Sequence, residues 1–380
     1  MKISKRLLPL LLVILSVFII GCAHVDKTDV EEAIISELDL LKNLDSETAQ
    51  KYISYRELFP GSTEETELSE EVKEVFSLFF QNFDYKILDI DVDKKKKTAV
   101  ASLRLSTIDA QSLAKDFAVS QLKKEILAAA DTNSQNTEEA ITSLEERYLI
   151  LHELLTDHTY DAVETNCTIQ LRDVGDEEEI WEINRTHILE NDLVGGLMTY
   201  LSDNDLLTPE ETLAVYFKTL KSMDMEQMSN YLGVESILNT DDPAKNEIAA
   251  ALVEQVHRNF NCEVTNCSVQ GYTASLETEI TTFDSNAILS AYQEELDTYL
   301  ASPNAVIDGS QKRYQKSFDL LLESIESNKE VKTASAAFVL VNDGVSWKLK
   351  NDNLDLGNAI FGTLTTTPVD DENEISDDEE

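Results

Sequence analysis

Asp29-Val30-Glu31-Glu32 and Thr208-Pro209-Glu210-Glu211 open two stretches of this chain that go on to read alike. Each begins on a residue type that caps helix N-termini and places Glu three positions later, the pattern of a capping box. Pro209 suits a first helical turn. The apolar positions then agree: Ile34, Leu38 and Leu41 match Leu213, Phe217 and Leu220. Leu44-Asp45-Ser46-Glu47 matches Met223-Asp224-Met225-Glu226, and Tyr52 matches Tyr231, all at an offset of 179. Asn82-Phe83 matches Asn259-Phe260 at 177. Thr98-Ala99, Leu105, Thr107 and Asp109 match Thr273-Ala274, Ile280, Thr282 and Asp284 at 175. Arg147-Tyr148 matches Arg313-Tyr314 and Trp181 matches Trp347, both at 166. A falling offset with preserved order is the mark of a duplicated domain whose second copy has shorter loops.

The element order follows from periodicity. In each copy two or three amphipathic helices come first. Glu71 to Phe83 carries Val72, Val75, Phe76, Phe79, Phe80 and Phe83 at helical spacing. Two strands are predicted next, Tyr85–Val92 with Thr98–Thr107 and Glu263–Val269 with Tyr272–Phe283. Helical stretches Ala110–Thr156 and Asn286–Ser327 follow. Asp161–Arg172 with Glu178–His187, and Thr333–Val341 with Val345–Lys350, close the units, the last pair through the turn Asn342-Asp343-Gly344. Helices and strands that do not alternate as βαβ indicate an α+β fold with antiparallel sheets. Helices first, then a curved meander able to cover them, is similar to the NTF2-like, cystatin-like fold, here with a helical insertion between strand pairs. Duplicated domains of this size resemble those of clostridial-type cell-surface lipoproteins. The resemblance covers two tandem repeats, residues 29–203 and 206–367.

The N-terminus carries Lys2, Lys5 and Arg6 before an apolar run from Leu7 to Ile20. This is the layout of a secretory signal, too short for a membrane-spanning helix of ~20 apolar residues. Ile19-Ile20-Gly21-Cys22 resembles the lipobox of bacterial lipoproteins. The resemblance implies a signal peptide over 1–21, lipid attachment at Cys22, and a short anchor linker over 22–28. The expected location is the outer side of a cell membrane, on a Gram-positive surface.

Formal net charge is −42, and removal of Lys2, Lys5 and Arg6 with the signal makes it −45. Such a charge opposes nucleic acid and anionic lipid as partners and favours a well-solvated surface. Val369 to Glu380 holds eight acidic side chains. It has too little apolar area to offset its ordering entropy, so residues 368–380 are expected to form a disordered acidic tail. Cys167, Cys262 and Cys267 are too few for a disulfide framework. Five positions apart in an extended strand, Cys262 and Cys267 are expected roughly 16 Å apart, on opposite faces.

The search for chemistry yields no catalytic, cofactor-binding or metal-binding residue. His152-Glu153 with His158 evokes a zinc helix. Six positions turn the second histidine about 240° from the first, whereas zinc needs one face. Pairing His152 with Phe318 by the 166 offset marks a packing position. Asp89, Asp91 and Asp93 share a strand face, but no calcium loop surrounds them and Lys94-Lys95-Lys96-Lys97 follows. Gly195-Gly196 and Gly233 make no phosphate loop. Nothing selects an acid–base pair from 73 carboxylates. Trp181 and Trp347 are read as core residues. The functional expectation is a lipid-anchored, non-enzymatic binding or scaffold protein. An NTF2-like isomerase, dehydratase or hydrolase is the alternative, which requires a cavity of several hundred Å3 with an ionisable floor.

Overall fold

The computed structural model describes residues 27–53, 58–59, 69–131, 143–232, 243–350 and 353–365. Cys22, the signal segment 1–21 and the acidic tail 368–380 lie outside the described residues. The chain forms two compact units. One takes residues up to 114 together with 148–202; the other takes 115–147 together with the chain from 203 onward. Each holds a four-stranded antiparallel meander whose neighbours follow chain order.

In the first unit α1 (Thr28–Lys42), α2 (Ser46–Tyr52) and α3 (Glu70–Leu78) precede β1 (Asp84–Asp93) and β2 (Thr98–Ile108). Asp45 caps α2, accepting the Thr48 amide at 2.8 Å, and Ser69 caps α3. The capping box expected at Asp29 does not form. Helix α1 starts at Thr28 with no side-chain cap, and Asp29 lies in its first turn, where its charge suits the helix dipole. The apolar run to Phe83 is buried throughout, but the helix stops at Leu78, so Phe79, Phe80 and Phe83 reach the core from a turn. Helix α4 (Ala110–Ala129) begins here and is counted with the second unit from Lys115. Helix α5 (Leu144–Asp157) returns the chain to β3 (Ala162–Asp173) and β4 (Trp181–Ile183). Two short helices, α6 (His187–Leu193) and α7 (Leu197–Leu201), end the unit. The strand expected over Glu178–His187 is thus only three residues long, and His187 already belongs to a helix capped by Thr186.

The second unit repeats this plan with α8 (Pro209–Lys221), α9 (Met225–Leu232), α10 (Pro243–Asn259), β5 (Asn261–Gln270) and β6 (Thr273–Phe283). Then come α11 (Ser285–Leu300), α12 (Pro303–Ile307), α13 (Ser310–Ser327), β7 (Val331–Asn342), β8 (Trp347–Leu349) and α14 (Asn353–Phe361). The Thr208 capping box is complete: Thr208 Oγ1 accepts the Glu211 amide at 3.2 Å, and Glu211 accepts the Thr208 amide at 2.9 Å. Asp224 accepts the Gln227 amide at 2.9 Å, as Asp45 does for Thr48.

The two sheets share one register. Asp84 pairs with Ser106 as Asn261 pairs with Thr281, and Thr98 pairs with Arg172 as Thr273 pairs with Val341. Each first strand carries a bulge at the same place, between Ile87 and Asp89 and between Val264 and Asn266. The matched residues do matched work. Ile34, Leu38, Leu41, Leu213, Phe217 and Leu220 are all buried, as are Tyr52 and Tyr231. Asp109 and Asp284 turn the chain out of β2 and β6, their amides donating to the Asp161 and Glu330 carbonyls at 2.8 and 2.9 Å. One match fails. Because Asp161 corresponds to Glu330, the offset before β3 is 169, and Tyr148 does not correspond to Tyr314. Tyr148 is fully buried whereas Tyr314 is 55% exposed.

One face of each sheet packs on helices. Ala99, Ala101, Leu103, Leu105, Ile169 and Leu171 point inward in the first unit, and Ala274, Leu276, Ile280, Phe338 and Leu340 in the second. Full burial of one such aliphatic side chain contributes ~1.5–3 kcal/mol. Within the second unit Leu122, Ile126 and Ala130 of residues 115–147 join the same apolar cluster as Leu213, Leu220 and Phe260.

Candidate functional site

The recurring tryptophans mark equivalent points in the two units. Trp181 pairs across the sheet with Asp173, the last residue of β3, and Trp347 with Asn342, the last of β7. Both indoles are buried, as expected of core residues, and both donate their N–H to a carboxylate. Trp347 reaches Asp205 Oδ1 at 3.0 Å, which also accepts from Asn342 Nδ2 at 3.2 Å. Trp181 reaches Glu179 Oε2 at 3.4 Å. This bond satisfies the one polar atom that burial of an indole would otherwise strand.

Beside Trp181 lies a depression of about 360 Å3 between the β1–β2 and β3–β4 turns. Its walls are charged, and four of the charged groups, Lys94, Lys97, Asp173 and Glu179, are engaged with one another or with the backbone. Lys94 pairs with Glu179 at 3.1 Å and Lys97 with Asp173 at 3.5 Å, while Lys97 Nζ donates to the Gly175 carbonyl at 2.8 Å. Asp173 accepts the amides of Gly175 and Ile180, which with Lys97 hold its carboxyl below the usual carboxylate range. These bonds fold the turn. A second depression, about 720 Å3, is lined by one face of α11 from Asn286 to Thr298. A third, about 210 Å3, lies against Phe217, Phe260 and Cys262.

The cysteines behave differently from the expectation. The bulge at Thr265 inserts one residue between Cys262 and Cys267, so both face inward, opposite buried Ile280 and Leu276. Their partners are four residues apart along β6, still too far for a bond. All three described thiols are free. Burial, then the Asp192 carboxylate, pushes Cys167 up to about 12. Burial pushes Cys262 up to about 11, and burial with Glu210 does the same for Cys267. Such thiols are poor nucleophiles.

His152 is half-buried on α5, with Nε2 3.2 Å from Glu74 Oε2, an inter-helix polar contact. Asp89 and Asp93 are engaged by Lys27 at 3.4 Å and Lys96 at 3.0 Å. Among the described residues no group of three or more His, Cys, Asp or Glu is placed to hold a metal ion, and no helix is long and apolar enough to cross a membrane.

What sequence reasoning missed is the outer face of each sheet. Val100, Ser102, Arg104, Glu164, Asn166 and Thr168 are exposed in the first unit. Ser275, Glu277, Glu279, Thr333, Ser335 and Ala337 are exposed in the second. The signal was available in the alternation along β2 and β6, whose polar members had no assigned partner.

No protein-family model and no curated protein sequence matches the chain. Among solved structures, ycdA from Bacillus subtilis, a chain provisionally described as a lipoprotein, aligns with 11% identity and a TM-score of 0.27. The alignment covers 74% of this chain and 97% of that one.

Proposed function

We propose that this chain is an exported lipoprotein, cut before Cys22 and held by lipid on the outer face of a cell membrane. In this reading its two NTF2-like units bind a macromolecular partner rather than turn over a substrate. The observation that carries the binding role is the pair of open sheet faces. Each unit fills one sheet face with helices and leaves the other, built on strands of ten to twelve residues, exposed and lined mostly with polar and charged side chains. A broad hydrophilic surface suits a macromolecular partner, whereas small-molecule sites are concave and largely apolar. The NTF2-like assignment is supported by the order of helices followed by a four-stranded meander with helices on one face. The membrane location is supported by the basic segment, apolar run and Gly21-Cys22 junction.

The test is native mass spectrometry of the chain from Lys27 to Glu380, which holds every described element. A mass equal to the polypeptide alone is expected. A co-purifying small molecule or metal, lost on denaturation, would overturn the partner-binding reading in favour of an enzyme or solute receptor.

A further inference from the structure

We propose that the turn of the second unit between α11 and α13 is a docking surface for an anionic lipid bilayer. Val306 and Ile307 end the short helix α12 and are 85% and 80% exposed. Two adjacent aliphatic side chains so exposed give up nearly all the stabilisation that burial would provide. The next turn carries Lys312, Arg313 and Lys316, with the half-exposed Tyr314 among them.

The tip is richer in cations than the rest of the chain. From Thr298 to Phe318 three cations stand against the single carboxylate of Asp308, with Asp297 and Asp319 flanking the segment, within a chain of net charge −42. Asp308 is itself engaged, accepting from Tyr299 Oη at 3.0 Å and lying 3.9 Å from Lys312. Among the described residues Arg313 and Lys316 have no carboxylate partner. Lys312 and Arg313 sit in the first turn of α13, where positive charge opposes the helix dipole. Helix stability therefore does not account for them.

Aliphatic side chains beside an aromatic and several basic ones are the composition of an interfacial membrane contact: the aliphatics enter the acyl boundary, and the cations meet phosphates. The overall charge does not forbid this. At physiological ionic strength charges are screened over ~8 Å, so the turn is governed by its own side chains. The contact does not depend on lipid at Cys22, and it departs from the expectation, drawn from net charge, that anionic lipid is no partner.

The experiment is co-sedimentation of the Lys27–Glu380 chain with phosphatidylcholine vesicles, with and without about one-third phosphatidylglycerol. Binding to the anionic vesicles alone, weakened by added salt, is expected. V306S/I307S and K312E/R313E/K316E should each weaken it, the triple variant on the order of a hundredfold, with no loss of melting temperature, since Val306, Ile307, Lys312 and Arg313 are exposed and acidic side chains suit the first turn of α13. Equal binding to both vesicle types, no binding, or full binding by both variants would overturn the proposal. So would a dimer abolished by V306S/I307S, which would assign the aliphatic pair to a second copy of the chain.

Discussion

Gly195→Ala tests the way the first unit is closed. Gly195 follows α6 with φ of +66°, and a Cβ there would lie 2.6 Å from Thr107 Oγ1 and 3.0 Å from the Ile108 carbonyl oxygen. Gly271, in the β5–β6 turn, has nearly the same φ, +60°, with nothing within 4 Å of the corresponding position. Alanine in the left-handed region costs ~1–2 kcal/mol at either site. Only at Gly195 must the closing helix also move off β2, an overpacking cost of ~1–3 kcal/mol. The expected losses are therefore about 2–5 kcal/mol for Gly195→Ala and about 1–2 for Gly271→Ala. The two tryptophans, Trp181 and Trp347, lie one in each unit, so W347F leaves a reporter of the first unit and W181F a reporter of the second. Urea titration of fluorescence then gives each midpoint, compared at constant slope. Equal losses at the two glycines would refute the close approach of α6 to Thr107.

Further outcomes follow from the same packing. Thr107 and Thr282 are matched and buried, but Thr282 Oγ1 donates to the Ile360 carbonyl at 3.1 Å whereas Thr107 Oγ1 has no hydrogen-bond partner among the described residues. Thr282→Val should cost about 1–3 kcal/mol and Thr107→Val should be neutral or stabilising, read by urea titration of the respective tryptophan. Thr208→Ala removes a complete capping box and should cost about 0.5–2 kcal/mol. Asp29→Ala removes only a dipole contact and should cost ~0.3–1, so a larger loss at Asp29 would contradict the observed helix start. Cys167 rises from 9.0 to about 12 in the folded protein. A raised value means that its contribution is complete below pH about 9 and is lost as pH climbs toward about 12, so the urea midpoint of the first unit should fall across that window. Cys167→Ala should reduce this dependence, leaving the part due to Tyr52 and Tyr85, which burial also raises; an unchanged slope would show that Cys167 does not contribute to it.

The legible part of the fold was the part written in side-chain type. Burial of Leu38 with Phe217 and of Tyr52 with Tyr231, and the turns at Asp109 and Asp284, could be read from matched residues because each does a local job that few side chains can do. The bulges at Leu88 and Thr265 could not. A bulge is a property of strand pairing, and neither residue carries a local mark of it. Missing the second bulge put Cys262 and Cys267 on opposite faces. The Glu178–His187 strand was overextended because its first residues belong to the loop that Asp173 holds at Ile180, and its last ones enter the helix that Thr186 caps. The closing helices α6 and α14 were missed because each is short and follows directly on a strand. Arg147-Tyr148 matched Arg313-Tyr314 by coincidence, since the true offset there is set by backbone pairing at Asp161 and Glu330. The open sheet faces were visible as alternation, but exposure alone names no partner.

The central structural claim is that one α+β unit is built twice with one register. Amide hydrogen exchange followed by mass spectrometry on the Lys27–Glu380 chain tests it directly. The account predicts slowest exchange across Thr98–Ile108 and again, 175 positions on, across Thr273–Phe283, since these strands are paired on both sides. Faster exchange is predicted in the bulged edge strands Asp84–Asp93 and Asn261–Gln270. Protection that peaks in one copy over a strand whose counterpart exchanges freely would contradict it.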